Sequence, residues 1–159
     1  LSLAFRAATA LFGHAGLERD LTSLSSDDLA AMTSWINLYK SQRSLIHTGE
    51  MIRMDYPDES HYLFGVLSQD KKKALFSYVQ LQPIVASQAP NLTFRGLDSE
   101  KNYQVKVVKD AGAPAFMAIT PPPWLEGGAV MSGAALKSVG LPAPILRPES
   151  ALLLEISQL

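Results

Sequence analysis

A change of hydrophobic period near residue 50 constrains this chain more than any other feature. Before it, a glycine-broken apolar segment, Phe12 to Leu21, leads into one long run with apolar residues at helical spacing. After Met51 the spacing becomes that of strands. One short strand and its flanking helices cannot close a fold. The front therefore reads as the last piece of something larger, and the back as a complete small domain. On this reading the boundary separates residues 1–50 from 51–159, and the parent protein's chemistry lies mostly upstream of Leu1. The chain opens on Leu rather than Met, which fits removal of preceding sequence or excision from a longer chain.

Leu1 to Phe12 reads as a helix with Leu3, Ala7, Ala10 and Leu11 on one face and Gly13 as its C-cap. Gly16 to Leu21 is short and suits a strand. Ser25 followed by Asp28 forms a capping-box pattern, and Asp27 and Asp28 place negative charge at a helix N-terminus. Leu29, Met32, Ile36, Tyr39 and Arg43 recur at helical spacing, Trp35 and Leu38 widen the stripe, and Gly49 marks the stop. This helix is expected to run about 20 residues, or roughly 30 Å.

Strands are expected at Met51–Met54, Tyr62–Leu67, Ala74–Leu81, Tyr103–Val108, Phe116–Ile119 and Ala151–Ser157. Tyr103, Val105 and Val107 alternate with Gln104 and Lys106, as a half-buried strand requires. Leu152, Leu154 and Ile156 alternate with Glu155 and Ser157. Ala74–Leu81 is apolar on both faces and belongs in a sheet centre. Turn residues separate these runs at Tyr56-Pro57-Asp58, Gln69-Asp70-Lys71, Gly96-Leu97-Asp98 and Thr120 to Pro123. Short strands without long intervening helices predict a mainly β fold, an antiparallel β-sandwich.

The composition narrows function. With 14 basic and 15 acidic residues the net charge is -1, which gives no electrostatic reason to expect nucleic acid or an anionic membrane. No apolar run approaches the roughly 20 residues that span a bilayer. Leu1 to Phe12 holds Arg6 and no basic leader, unlike a signal peptide. The chain has no cysteine, so disulfides and thiolate metal sites are impossible, and a cytoplasmic location is the expectation.

Few residues suggest chemistry. His14, His47 and His61 stand far apart in sequence without ligand spacing and read as loop and cap residues. Asp55 to Glu59 is an acidic cluster whose Pro57 interrupts a calcium-type alternation, so a solvated turn is expected. Lys71-Lys72-Lys73 reads as a basic hairpin tip. Asn91-Leu92-Thr93 matches a glycosylation sequon that matters only in a secreted eukaryotic protein. Glu126-Gly127-Gly128 lacks the Lys-Ser/Thr of a phosphate loop. Trp124, after three prolines, is a sugar-stacking platform or a plug over the sandwich, and the plug is favoured. Glu18 and Asp20 would point the same way on a strand and could pair as acid and base. By themselves these residues support no enzyme.

Phe12-Gly-His-Ala-Gly-Leu-Glu-Arg-Asp-Leu21 resembles the Phe-Gly-x-x-Gly-x-Glu-x-Asp-Leu segment near the end of the catalytic barrel in family 36 α-galactosidases. The helix that follows resembles the family's in ending on Tyr39-Lys40-x-x-Arg43, then His47-x-Gly49-x-x-x-Arg53. Asp70 with Ala74 to Tyr78 resembles a second family stretch. Gly96-Leu97-Asp98 with Tyr103 resembles a third, and Ser132-Gly133, Leu136 and Gly140-Leu141 a fourth. The resemblance spans almost the whole chain, in order.

The resemblance implies a parent with an N-terminal β-domain, a (β/α)₈ barrel and an antiparallel C-terminal sandwich. Residues 1–50, with two α-helices, would be the last barrel elements, and the remainder of the barrel would be the chain's partner. The parent would hydrolyse terminal α-linked galactose from oligosaccharides such as melibiose or raffinose with retention, using two aspartates. Both lie in motifs without a counterpart here, namely the Lys-x-Asp of the nucleophile and the Cys- and Gly-rich stretch near the acid/base. No residue of this chain inherits a catalytic, cofactor-binding or metal-binding role, and Glu18 and Asp20 are structural on this reading. The chain itself is expected to be inactive, to bind no cofactor, and to supply packing and subunit contacts in a homo-oligomer. Arg19 departs from the family, which usually has an apolar or aromatic residue there. A guanidinium in a barrel strand must reach solvent or pair with Asp20 or Glu18, unless the strand is not native-like. The alternatives are a free-standing carbohydrate-binding sandwich, which needs a row of exposed aromatics, and a protein-interaction domain. The chain's two Trp, five Tyr and six Phe residues mostly alternate into expected core positions, which argues against the first.

Overall fold

The computed structural model describes residues 2–159 except 17, 19, 57, 58, 85–89, 113, 115, 118 and 119, and only the backbone of 110. Helix α1 spans Leu3–Ala10, capped by the Ser2 hydroxyl, which accepts from Phe5 N at 3.1 Å. Helix α2 spans Ser26–Thr48. The Ser25 hydroxyl accepts from Asp28 N at 3.1 Å and donates to Asp28 Oδ2 at 3.0 Å, so Ser25 caps the helix as expected, with Asp28 answering through the Ser25 hydroxyl. Gly49 ends the helix because two backbones converge on it. A Cβ there would lie 2.7 Å from both Leu45 O and Leu67 O.

Strands β1 (Glu50–Met54), β2 (His61–Leu67), β3 (Lys73–Gln80), β4 (Asn102–Val107), β5 (Ala129–Ser132) and β6 (Ser150–Gln158) form one sheet in the order β1-β2-β3-β6-β4-β5. Every pairing is antiparallel. β3 lies between β2 and β6 and is buried from Ala74 to Gln80, as a run apolar on both faces should be. On one face Leu63, Phe76, Tyr78, Leu154 and Tyr103 pack against Leu92, Phe94, Trp124, Leu136 and Leu146. The layer that supplies these partners consists of extended segments tied by the Leu92–Leu141 and Phe116–Leu146 bridges, with short helices α3 (Trp124–Gly127) and α4 (Gly133–Ser138).

The other face carries the helices. Val66, Leu75 and Leu153 share one apolar core with Ala8 and Leu11 of the first segment and Trp35, Leu38 and Ile46 of α2. The sheet-facing stripe of α2 is thus built on Trp35 and Leu38, while Leu29 and Ile36 stay exposed.

Four local expectations change. α1 stops at Ala10, short of Phe12, because Leu11 and Phe12 turn into the core. The described residues of 16–21 form no strand; instead Asp20 caps a single 3₁₀ turn at Leu21–Ser23. Phe116 makes one bridge rather than a strand, and Ile119 lies outside the described residues. The edge strand β5 and the helices α3 and α4 go unforeseen, since each is too short to show a period.

Candidate functional site

The residues singled out by sequence do not meet in one place. Asp20 is exposed, and its carboxylate accepts from Thr22 Oγ1 at 2.6 Å and Thr22 N at 2.9 Å. The Thr22 hydroxyl, then the Thr22 amide, holds this carboxyl below its usual range. That is the chemistry of a cap. Glu18 is also exposed. Arg19 lies outside the described residues. Asp28 is committed to the α2 cap, and Asp55 lies in an exposed pair with Arg53 at 3.2 Å. Pro57 and Asp58 of the acidic cluster are outside the described residues.

Lys71, Lys72 and Lys73 lie at the β2–β3 hairpin, with Lys71 left-handed at φ 59. Asn91 is exposed and donates through Nδ2 to Val139 O at 3.0 Å, while Leu92 beside it is fully buried. Glu126 and Gly127 close the short helix α3. Trp124 is buried and donates through Nε1 to Pro142 O at 3.0 Å, the environment of a plug.

The histidines correct the sequence reading. His14 and His47, remote in the chain, stack with ring centroids 5.0 Å apart. The Tyr39 hydroxyl lies 2.9 Å from His47 Nε2. His61 is no loop residue: it opens β2, is buried, and places Nδ1 3.2 Å from the Ser60 hydroxyl. Its ring packs on Tyr56 at 4.7 Å and Tyr78 at 5.9 Å. Burial pushes the Tyr56 hydroxyl above its usual pKa. Gln80 completes this buried group, donating to Ser60 O at 3.3 Å and accepting from Tyr78 at 3.3 Å. Nothing in the local sequence signals that group, because its members come from two strands and a turn. Among the described residues no group of three His, Cys, Asp or Glu side chains could hold a metal ion.

A groove of about 370 Å³ lies between α1 and α2. α1 and the residue after it contribute Leu3, Ala7 and Leu11; α2 contributes Met32, Ile36 and Tyr39. Lys40 and Arg43 line the end toward the α2 C-terminus. Among the described residues no carboxylate lines the groove. Such a surface suits apolar packing with a cationic end.

The stretches from the hairpin tip, residues 96–103 and residues 132–141 do converge, on the opposite side of the sheet. The buried Tyr103 hydroxyl donates to Lys71 O at 2.9 Å and accepts from Asp98 N at 3.0 Å. Gly133 donates its N–H to Lys101 O at 2.9 Å, and a Cβ there would lie 2.0 Å from Asp98 O. Gly140 adopts φ 70, and a Cβ would lie 2.2 Å from Leu92 O. These residues fasten turns to the sheet.

The glycosyl hydrolase family 36 C-terminal domain matches residues 61–152, more than half of the chain. This chain belongs to glycosyl hydrolase family 36. An α-galactosidase of Escherichia coli is 36% identical over 99% of this chain and 23% of its own length. A probable α-galactosidase G of Aspergillus terreus is 32% identical over 65% of this chain and 14% of its own length. A raffinose complex of the Geobacillus stearothermophilus α-galactosidase AgaA superposes with a TM-score of 0.80 at 22% identity, over 100% of this chain and 20% of that one. The chain thus spans about a quarter or less of the relatives it matches. The family match runs from β2 into β6 and includes the Tyr103 junction. It is the family's C-terminal domain, distinct from its catalytic barrel.

Proposed function

We infer that this chain is the C-terminal part of a retaining α-galactosidase that removes terminal α-galactosyl residues from oligosaccharides such as melibiose or raffinose. The observation that carries the inference is the 36% identity to the Escherichia coli α-galactosidase along 99% of the chain. Retaining hydrolysis uses two carboxyl groups about 5 Å apart around the scissile bond. The chain's family match is to the C-terminal domain, so the reaction is assigned to the rest of the parent. The chain's own role is structural. The carbohydrate-binding alternative is less well supported, because Trp124, Tyr103, Tyr78, Phe76 and Phe94 are buried. A cytoplasmic location is part of the proposal, supported by a chain without cysteine.

The test is an assay of the complete gene product on an aryl α-galactoside and on raffinose. Turnover with retention is expected, and its absence overturns the reading. Turnover by residues 1–159 alone, surviving removal of contaminants, would overturn the structural role. Cell fractionation checks the location; recovery of the protein from the medium would contradict it.

A further inference from the structure

We draw no further inference here: the strongest candidate, the hollow on the β1–β2 sheet face lined by Met51, Arg53, Tyr62 and Phe64, is an apolar face with one exposed ion pair at its edge, and nothing in the structure shows what covers it in the parent.

Discussion

The Tyr103 hydroxyl holds together two turns that are far apart in the chain, the β2–β3 tip at Lys71 and the turn at Asp98. The ring is fully buried, and both partners are backbone groups near the surface. Tyr103→Phe keeps the ring and removes both hydrogen bonds. Water can reach the abandoned carbonyl, so the cost is expected near the low end of about 1–3 kcal/mol. Urea unfolding should show a lower midpoint with an unchanged slope. Ser77 is the opposite case. Its hydroxyl is fully buried in β3 and has no hydrogen-bond partner among the described residues. Ser77→Ala removes a desolvated group without creating an unpaired one. It is therefore expected to be neutral or to stabilise by about 1 kcal/mol. A clear loss of stability would mean that the hydroxyl has a partner in solution.

At the scale of elements, the strands with strict alternation and the long helix were legible, because each side chain's face follows from period alone. The Trp35–Leu38 side of α2 needed tertiary information: the stripe was wide enough to offer two faces, and the sheet selected one. The stacking of His14 on His47 was invisible for the same reason, since it depends on how the segment after α1 returns to the end of α2. The β2–β3 hairpin shows a turn read correctly from Gln69-Asp70-Lys71. Asp70 Oδ1 accepts from the Ser68 hydroxyl at 2.6 Å and from Lys72 N at 3.0 Å, while the Ser68 hydroxyl accepts from Lys73 N at 3.0 Å. The Ser68 hydroxyl first, then the Lys72 amide, holds the Asp70 carboxyl below its ordinary 3.8. A depressed folded-state value means that Asp70 contributes stability above the unfolded value. That contribution fades as pH falls through the folded value. Urea midpoints of the protein and of Asp70→Asn should therefore differ at neutral pH and converge well below pH 3.8. A difference independent of pH would assign the effect to shape rather than to charge.

For the whole molecule, the two apolar layers divide the chain differently from the change of period. The change near residue 50 is real, yet the first 48 residues cover the sheet face that β2, β3 and β6 present. Val66, Leu75 and Leu153 on that face are almost fully buried, and they pack in one core with Ala8, Leu11, Trp35, Leu38 and Ile46. A chain cut to residues 50–159 keeps every strand and the layer around Leu92, Phe94 and Leu136, but it loses this cover. Each large apolar side chain returned to water costs about 1.5–3 kcal/mol, which is comparable, over three such residues, with the whole stability of a small domain. Residues 50–159 alone are therefore expected to bind a hydrophobic dye and to associate, whereas residues 1–159 hold that face closed. Light scattering and dye fluorescence on the two chains decide the matter. A monodisperse, dye-silent 50–159 with a cooperative melt would show that the sheet folds without its helices, and that α1 and α2 belong energetically to the parent's other portion.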